Sequence, residues 1–223
     1  YKKFVDAGGY KNPAYWSLPQ QFNGQPFNLE QAQKLFIDKT GFPGPSSWTN
    51  GSFPEGKGNF PVGGLSWYEA DAFAHFMKKQ LPSAYHWAKA ASPALSGTIV
   101  PASNFSKTDL KEIPFSKIRS GFGLYDVAGN VREWCANPTK EDHSEHAILG
   151  GGFDDEPYTF NDYYGQNSFD RSETNGIRLM RALNDNHPEV FREVIQKPYR
   201  DFLKLPRISP EVFAVYKRQF DYE

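Results

Sequence analysis

Apolar residues recur at helical spacing in separated stretches of this chain, each bounded by residues that start or stop a helix. In 1-YKKFVDAGGY-10 the pattern is that of a helix end closed by Gly8 and Gly9, because glycine tolerates the left-handed conformation, with the beginning expected upstream of Tyr1. In 28-NLEQAQKLFIDKTG-41, Asn28 is placed to cap and Gln31 to reach back. Leu29, Ala32, Leu35 and Phe36 share a face, and Gly41 is the expected stop. The strongest pattern is 66-SWYEADAFAHFMKKQ-80, where Ser66 and Glu69 form a capping box and Trp67, Ala70, Phe73, Ala74 and Met77 face inward. A second cap at Ser83 starts AYHWAKAAS, with Trp87, Ala90 and Ala91 inward.

Elsewhere the periodicity breaks. Residues 42–61 hold four prolines and four glycines, which predicts a surface loop anchored by Trp48. From Pro101 to about Arg181 short β-like pieces alternate with turns, including 148-ILGGGF-153 and 176-GIRLMRAL-183. Beyond Leu183 the chain turns polar and proline-broken until 209-SPEVFAVYKRQF-220, a helix with serine at the cap and proline at its first position. These boundaries predict a domain over 1–183 and a connector with a terminal helix over 184–223. No internal repeat is apparent.

Composition narrows the function classes. The 25 Lys and Arg against 26 Asp and Glu give a net charge of −1, so no bulk field draws the chain to nucleic acid or an anionic membrane. Aromatics make up 16% of residues beside 19 glycines and 17 prolines, which suits irregular loops pinned by large rings. At 223 residues a core can form without disulfides, and the single cysteine, Cys135, excludes both a disulfide framework and a multi-thiolate zinc site. No run approaches a membrane span and no leader pattern is present, so direct membrane insertion is not expected. The first residue is Tyr1, as in an excised or processed fragment. Compartment stays open between a reduced cytosol and an extracytoplasmic space.

Together, 60-FPVGGLSWYEADAFAHFMKKQLPSAYHWAKAAS-92, 121-GFGLYDVAGNVREW-134, 150-GGGF-153 and 175-NGIRLMR-181 resemble the formylglycine-generating enzyme (sulfatase-modifying factor) family, in order and spacing as well as in wording. The resemblance covers nearly all of Tyr1 to Arg181. It implies an α+β domain similar to the C-type-lectin fold, poor in regular structure, with two main helices on a small antiparallel sheet. Family members begin one hairpin earlier, so the first strands are expected to be missing and the exposed sheet edge to need cover.

The family oxidises a sulfatase cysteine with molecular oxygen, using two thiolates that hold Cu(I), a soft ion that needs soft ligands. Counted without gaps from Gly150, Gly151 and Phe153, those thiolates fall near Phe160 and Gly165, neither of which can ligate copper. No copper is expected. Cys135 follows Trp134 in a segment that the resemblance makes a structural loop; a buried hydrophobe and a reactive thiol are its two readings. Iron ligands of the sulfoxide-forming relatives lie on a separate domain. The histidines here do not replace them: His143 and His146 lie close on a polar loop, while His75, His86 and His187 are scattered.

The resemblance also implies calcium around GLYDVAGNVREW, with Asp126 and Glu133 as side-chain ligands and Gly129 and Val131 as carbonyl donors, an oxygen set of the kind calcium prefers. The alternative is that Asp126 caps a turn and Glu133 pairs with a cation. A second calcium position is implied at Asn104 and Phe105, where the following segment is shorter and only Asp109 is nearby. Arg171 and Arg178 match family positions and serve either as ion-pair partners or as ligand clamps. Tyr158, Phe160, Tyr163, Tyr164 and Phe169 surround the place of the missing thiolates, as a binding groove if exposed or as packing if buried.

Two functions follow. One is a non-catalytic binding or scaffolding module for a protein or peptide; the other is an enzyme of the same family with different chemistry, acting through Cys135 or a cofactor carried elsewhere. Residues 187–223 look like the segment that follows this domain in bacterial multidomain proteins headed by a serine/threonine kinase, which suggests a signalling context, in the cytoplasm or outside it.

Overall fold

The computed structural model of the protein describes residues 1–162, 164–183, 188–195 and 208–220. Tyr163, His187 and the connector stretches 184–187, 196–207 and 221–223 lie outside the described residues.

Local capping sets where the helices begin. Helix α1 (Lys2–Asp6) stops at Gly8, whose φ of 73° is left-handed. After a hairpin of two-residue strands, β1 (Gln21–Phe22) and β2 (Gln25–Pro26), comes α2 (Leu29–Leu35), started by the expected reciprocal cap of Asn28 and Gln31. It does not reach Gly41: Phe36 leaves helical geometry at ψ 65°, so that Ile37 can bridge Pro43, and Leu35 points out to solvent. The loop 42–61 is irregular, and Trp48 is buried beneath it.

Helix α3 (Trp67–Phe76) carries the Ser66–Glu69 capping box and α4 (Ala84–Ala91) starts from Ser83. Lys78 takes a positive φ of 52° and ends α3 early, leaving Met77 exposed where an inward position was expected. Tyr68 and Ala72 are buried instead, because α3 is enclosed on more than one side. One-turn α5 (Ser96–Ile99) follows.

A four-stranded sheet is ordered β5-β4-β3-β6, from β3 (Arg132–Pro138), β4 (Glu145–Leu149), β5 (Tyr164–Asn167) and β6 (Asn175–Gly176). Two pairings are antiparallel, while β6 pairs with β3 in parallel, so the sheet is mixed where an antiparallel one was expected. Only the first two residues of 175–183 join the sheet. The chain then diverges so that Met180 bridges Gln80 beyond α3.

The central strand β3 runs through the segment expected as a loop. It is enclosed on both faces, with Trp134 and Cys135 fully buried. Three tryptophans fix it at consecutive residues. Trp87 Nε1 donates to the Glu133 carboxylate at 2.7 Å, Trp134 Nε1 to the Leu65 carbonyl at 2.9 Å, and Trp67 Nε1 to the Cys135 carbonyl at 2.8 Å. Buried indoles need such acceptors.

On one side of this frame α1, α2 and α3 enclose an aromatic core of Phe4, Tyr10, Phe27, Phe36, Tyr68 and Phe73. On the other, α4 packs Trp87 and its alanines on Phe105, Val127, Ala147 and Phe160. After the short 3-10 turn Pro188–Phe191 comes the terminal helix α6 (Pro210–Phe220), with Ser209 Oγ accepting from Val212 N.

Candidate functional site

Among the described residues, two arginines that hold the loops around the sheet meet buried glutamates, Glu69 and Glu133. Arg171 reaches into the aromatic core and meets Glu69, whose side chain is 0% exposed, through Nε and Nη2 at 2.8 Å each. The same guanidinium donates to the Ile37 carbonyl at 2.7 Å and the Gly44 carbonyl at 2.6 Å, fixing the entry to the proline-rich loop. Glu69 also accepts from the Tyr10 hydroxyl at 2.7 Å and from Ser66 Oγ at 2.8 Å, so the cap glutamate of α3 is the centre of a network. Burial opposes the Arg171 charge, but the Glu69 carboxylate outweighs it and the guanidinium holds its proton more tightly than usual.

Arg178 makes the second pair. Its Nε and Nη2 grip Glu133 at 2.8–3.0 Å, and Nη2 also donates to the Tyr125 and Asp126 carbonyls at 3.1 Å. The Asp126 carboxylate turns the other way and closes a turn, accepting from the Phe115 amide at 2.9 Å and the Ser116 amide at 2.7 Å. Backbone conformation makes this segment what it is: Asp126 and Asn130 take positive φ, as Asp and Asn tolerate, and Gly129 joins them at 69°. A Cβ on Gly129 would lie 2.4 Å from the Asn104 carbonyl oxygen, so only glycine fits.

Calcium wants six to eight oxygens around one point. Here Glu133 is engaged by a guanidinium and an indole, Asp126 by two amides, and the Arg178 cation stands beside the would-be centre. Among the described residues no group of three or more His, Cys, Asp or Glu is arranged to hold a metal. In the set Asp126, Gly129, Val131 and Glu133 both carboxylates are thus turned to protein donors rather than to one shared centre. At the second position Phe105 is buried in the core, and Asn104 Oδ1 is a buried oxygen without a partner, one donor where several are needed.

A cleft of about 720 Å³ opens beside Arg178, between the 53–63 loop, the 108–113 loop and the end of the sheet. Its walls include Trp48, Phe53 and Phe60, and its rim carries Lys3, Lys39 and Lys57. Lys57 Nζ sits 3.8 Å above the Phe60 ring and Lys39 pairs with Glu173 at 2.8 Å. A smaller apolar pocket of about 270 Å³ lies on the opposite side of Arg178, against Trp87, Ala91 and Leu124. Loop aromatics form the larger cleft; sequence patterning points to that loop only through its anchor, Trp48.

A family model of the sulfatase-modifying factor enzyme 1-like domain matches residues 1–183. The chain belongs to this family. Its relatives include a serine/threonine-protein kinase Pkn1 of Chlamydia trachomatis, 36% identical over 102 residues, which cover 42% of this chain and 16% of the kinase. An inactive C-alpha-formylglycine-generating enzyme 2 of Bos taurus is 30% identical over 113 residues, 41% of this chain and 38% of that protein. A formylglycine-generating enzyme of Thermomonospora curvata is 32% identical over 114 residues, 38% of each chain. The chain thus spans about one sixth of the kinase and well under half of the other two.

Within this sulfatase-modifying factor fold, neither position inferred for a thiolate offers a cradle for one. Phe160 is buried against Trp87 in the core, and a Cβ on Gly165 would lie 2.3 Å from Thr139 Oγ1. The expected aromatic groove is not assembled: Phe160 belongs to one core, Phe169 packs on Phe22 in the other, and Tyr158 is exposed. Tyr164 is half-buried on β5. Burial lifts the Cys135 thiol well above its usual pKa and Glu133 lifts it further, which favours the protonated sulfur.

Three of the described histidines meet protein partners. His75 Nδ1 meets the Tyr15 carbonyl, His86 meets Ser83, and His146 is buried and stacked on Trp67 with ring centroids 3.8 Å apart. Burial first, then His143, pushes His146 down from 6.5 to about 3. Its folded-state pKa is depressed, so the unfolded chain binds a proton the folded one refuses, and stability falls as pH drops below about 6.5. Between pH 7 and pH 5 wild type should lose about 2 kcal/mol more than His146→Phe in urea titrations. Equal losses would show that His146 does not govern this window.

Proposed function

We propose that the chain is a non-catalytic binding or scaffolding module with a sulfatase-modifying factor fold, working inside a larger bacterial, kinase-linked signalling protein. What supports this most is the fate of sulfur. The only thiol is Cys135, fully buried on the central strand, so the chain has no pair of thiolates with which to hold Cu(I). The kinase relative supports the multidomain setting, and the inactive vertebrate relative supports a framework kept without oxidase chemistry.

The ligand surface in this proposal is the larger cleft, whose volume and aromatic walls suit a protein loop or an extended peptide. Nucleic acid is not a partner for a chain of net charge −1, and no described helix is long and apolar enough to cross a membrane.

The test uses a Cys-x-Pro-x-Arg peptide incubated with the protein, Cu(I) and oxygen, and read by mass spectrometry. The cysteine mass is expected to persist. Conversion to the aldehyde would overturn the proposal and establish the second reading, an enzyme with chemistry of its own, which the name of the Thermomonospora relative keeps in view.

A further inference from the structure

We infer that the seam between α4 and the end of β3 is a docking surface whose occupant is this chain's own segment 188–195, a strap that belongs to the domain although it lies beyond the residues shared with the family. Asn137 organises the seam. Its side chain is completely buried, its Oδ1 accepts the Ala84 amide at the start of α4 at 2.8 Å, and its Nδ2 donates to the Val190 carbonyl at 2.8 Å and the Glu193 carbonyl at 3.0 Å. One amide group therefore joins a helix start, the central strand and the strap, with both donor hydrogens used.

Register is fixed as well as contact. The turn of the strap is closed by the Arg192 and Glu193 amides on the Glu189 carbonyl at 2.9 and 3.0 Å, which points the carbonyls of Val190 and Glu193 at the same nitrogen. At the far end the Ile195 amide donates to the Pro138 carbonyl at 2.9 Å, and the Ile195 side chain packs on the core cluster of α4. Phe191 stacks on His86 with ring centroids 5.2 Å apart and planes 10° apart. A solvated linker has no reason to satisfy a buried asparagine, stack a ring and pack an isoleucine against the core in one register.

Asn137→Asp tests this in the full chain. It keeps the acceptor for Ala84 and sets a carboxylate against two carbonyls, so it should release the strap without unmaking the helix start. In wild type the Ile195 amide is expected to exchange with deuterium about tenfold or more slowly than an unstructured amide, and in Asn137→Asp at the unstructured rate. Phe191→Ala, which leaves the core intact, should raise exchange across 188–195 in wild type and add nothing to Asn137→Asp. Unprotected exchange at Ile195 in wild type, or additive effects of the two substitutions, would overturn the strap.

Discussion

Arg171→Ala is expected to lower the unfolding free energy by about 3–5 kcal/mol, because it leaves a carboxylate in the core without its cation. Glu69 is fully buried, and the guanidinium that neutralises it sits 102 residues away in sequence. Surface pairs such as Lys34 with Glu30 offer no comparable effect, since water screens them. Arg171→Lys should restore little: one ammonium cannot reach both oxygens of Glu69 and the carbonyls of Ile37 and Gly44 together. Adding Glu69→Gln to Arg171→Ala should recover part of the loss by removing the stranded charge. Urea unfolding of the three variants checks this, and a loss below about 1 kcal/mol for Arg171→Ala would place the pair in an environment as wet as the surface. If Arg171→Ala yields no folded protein, Arg171→Lys still supplies a measurable loss.

Glu133→Ala should cost a similar amount, about 3–5 kcal/mol, for the mirror-image reason. It strands the Arg178 guanidinium, whose charge Glu133 chiefly stabilises, and removes the acceptor of the Trp87 indole. Glu133→Gln keeps an acceptor for the indole and loses only the charge, so its loss should be smaller. The same two variants decide on calcium. If Glu133 is an ion-pair partner, millimolar calcium and chelator give the same thermal midpoint in wild type and in Glu133→Gln. A calcium-dependent rise in wild type that vanishes in Glu133→Gln would return Glu133 to the ligand set.

The split between what the sequence revealed and what it hid follows the range of the forces involved. Asn28 with Gln31 and Ser66 with Glu69 were legible because a capping box is complete within four residues. The larger task of Glu69 was not, since Arg171 and Tyr10 reach it only in the folded chain. Strand β3 escaped patterning because both its faces are buried, which erases the alternation that marks a half-exposed strand, and because it follows a run of turn residues. Periodicity extends the two helices to Gly41 and Gln80, past where they end. In both places a bridge, Ile37 to Pro43 and Gln80 to Met180, outcompetes another helical turn. Arg171 and Arg178 were picked out by family motif, with ion pairing as one of their two readings, while the cleft walled by Phe53 and Phe60 lies in a loop that carries no periodic signal.

The tryptophan-pinned strand has a kinetic corollary. Residues 132–138 take hydrogen bonds from, or give them to, Leu65, Pro82, Leu149 and Thr174, so the centre of the molecule closes only when segments far apart in the chain have met. Long loops must be closed before any of these contacts repays its entropy, which sets such topologies among the slow folders, on the scale of milliseconds to seconds. During synthesis the aromatic helices can emerge and collapse, but their latch is Arg171, so the first half of the domain waits on the ribosome for the last.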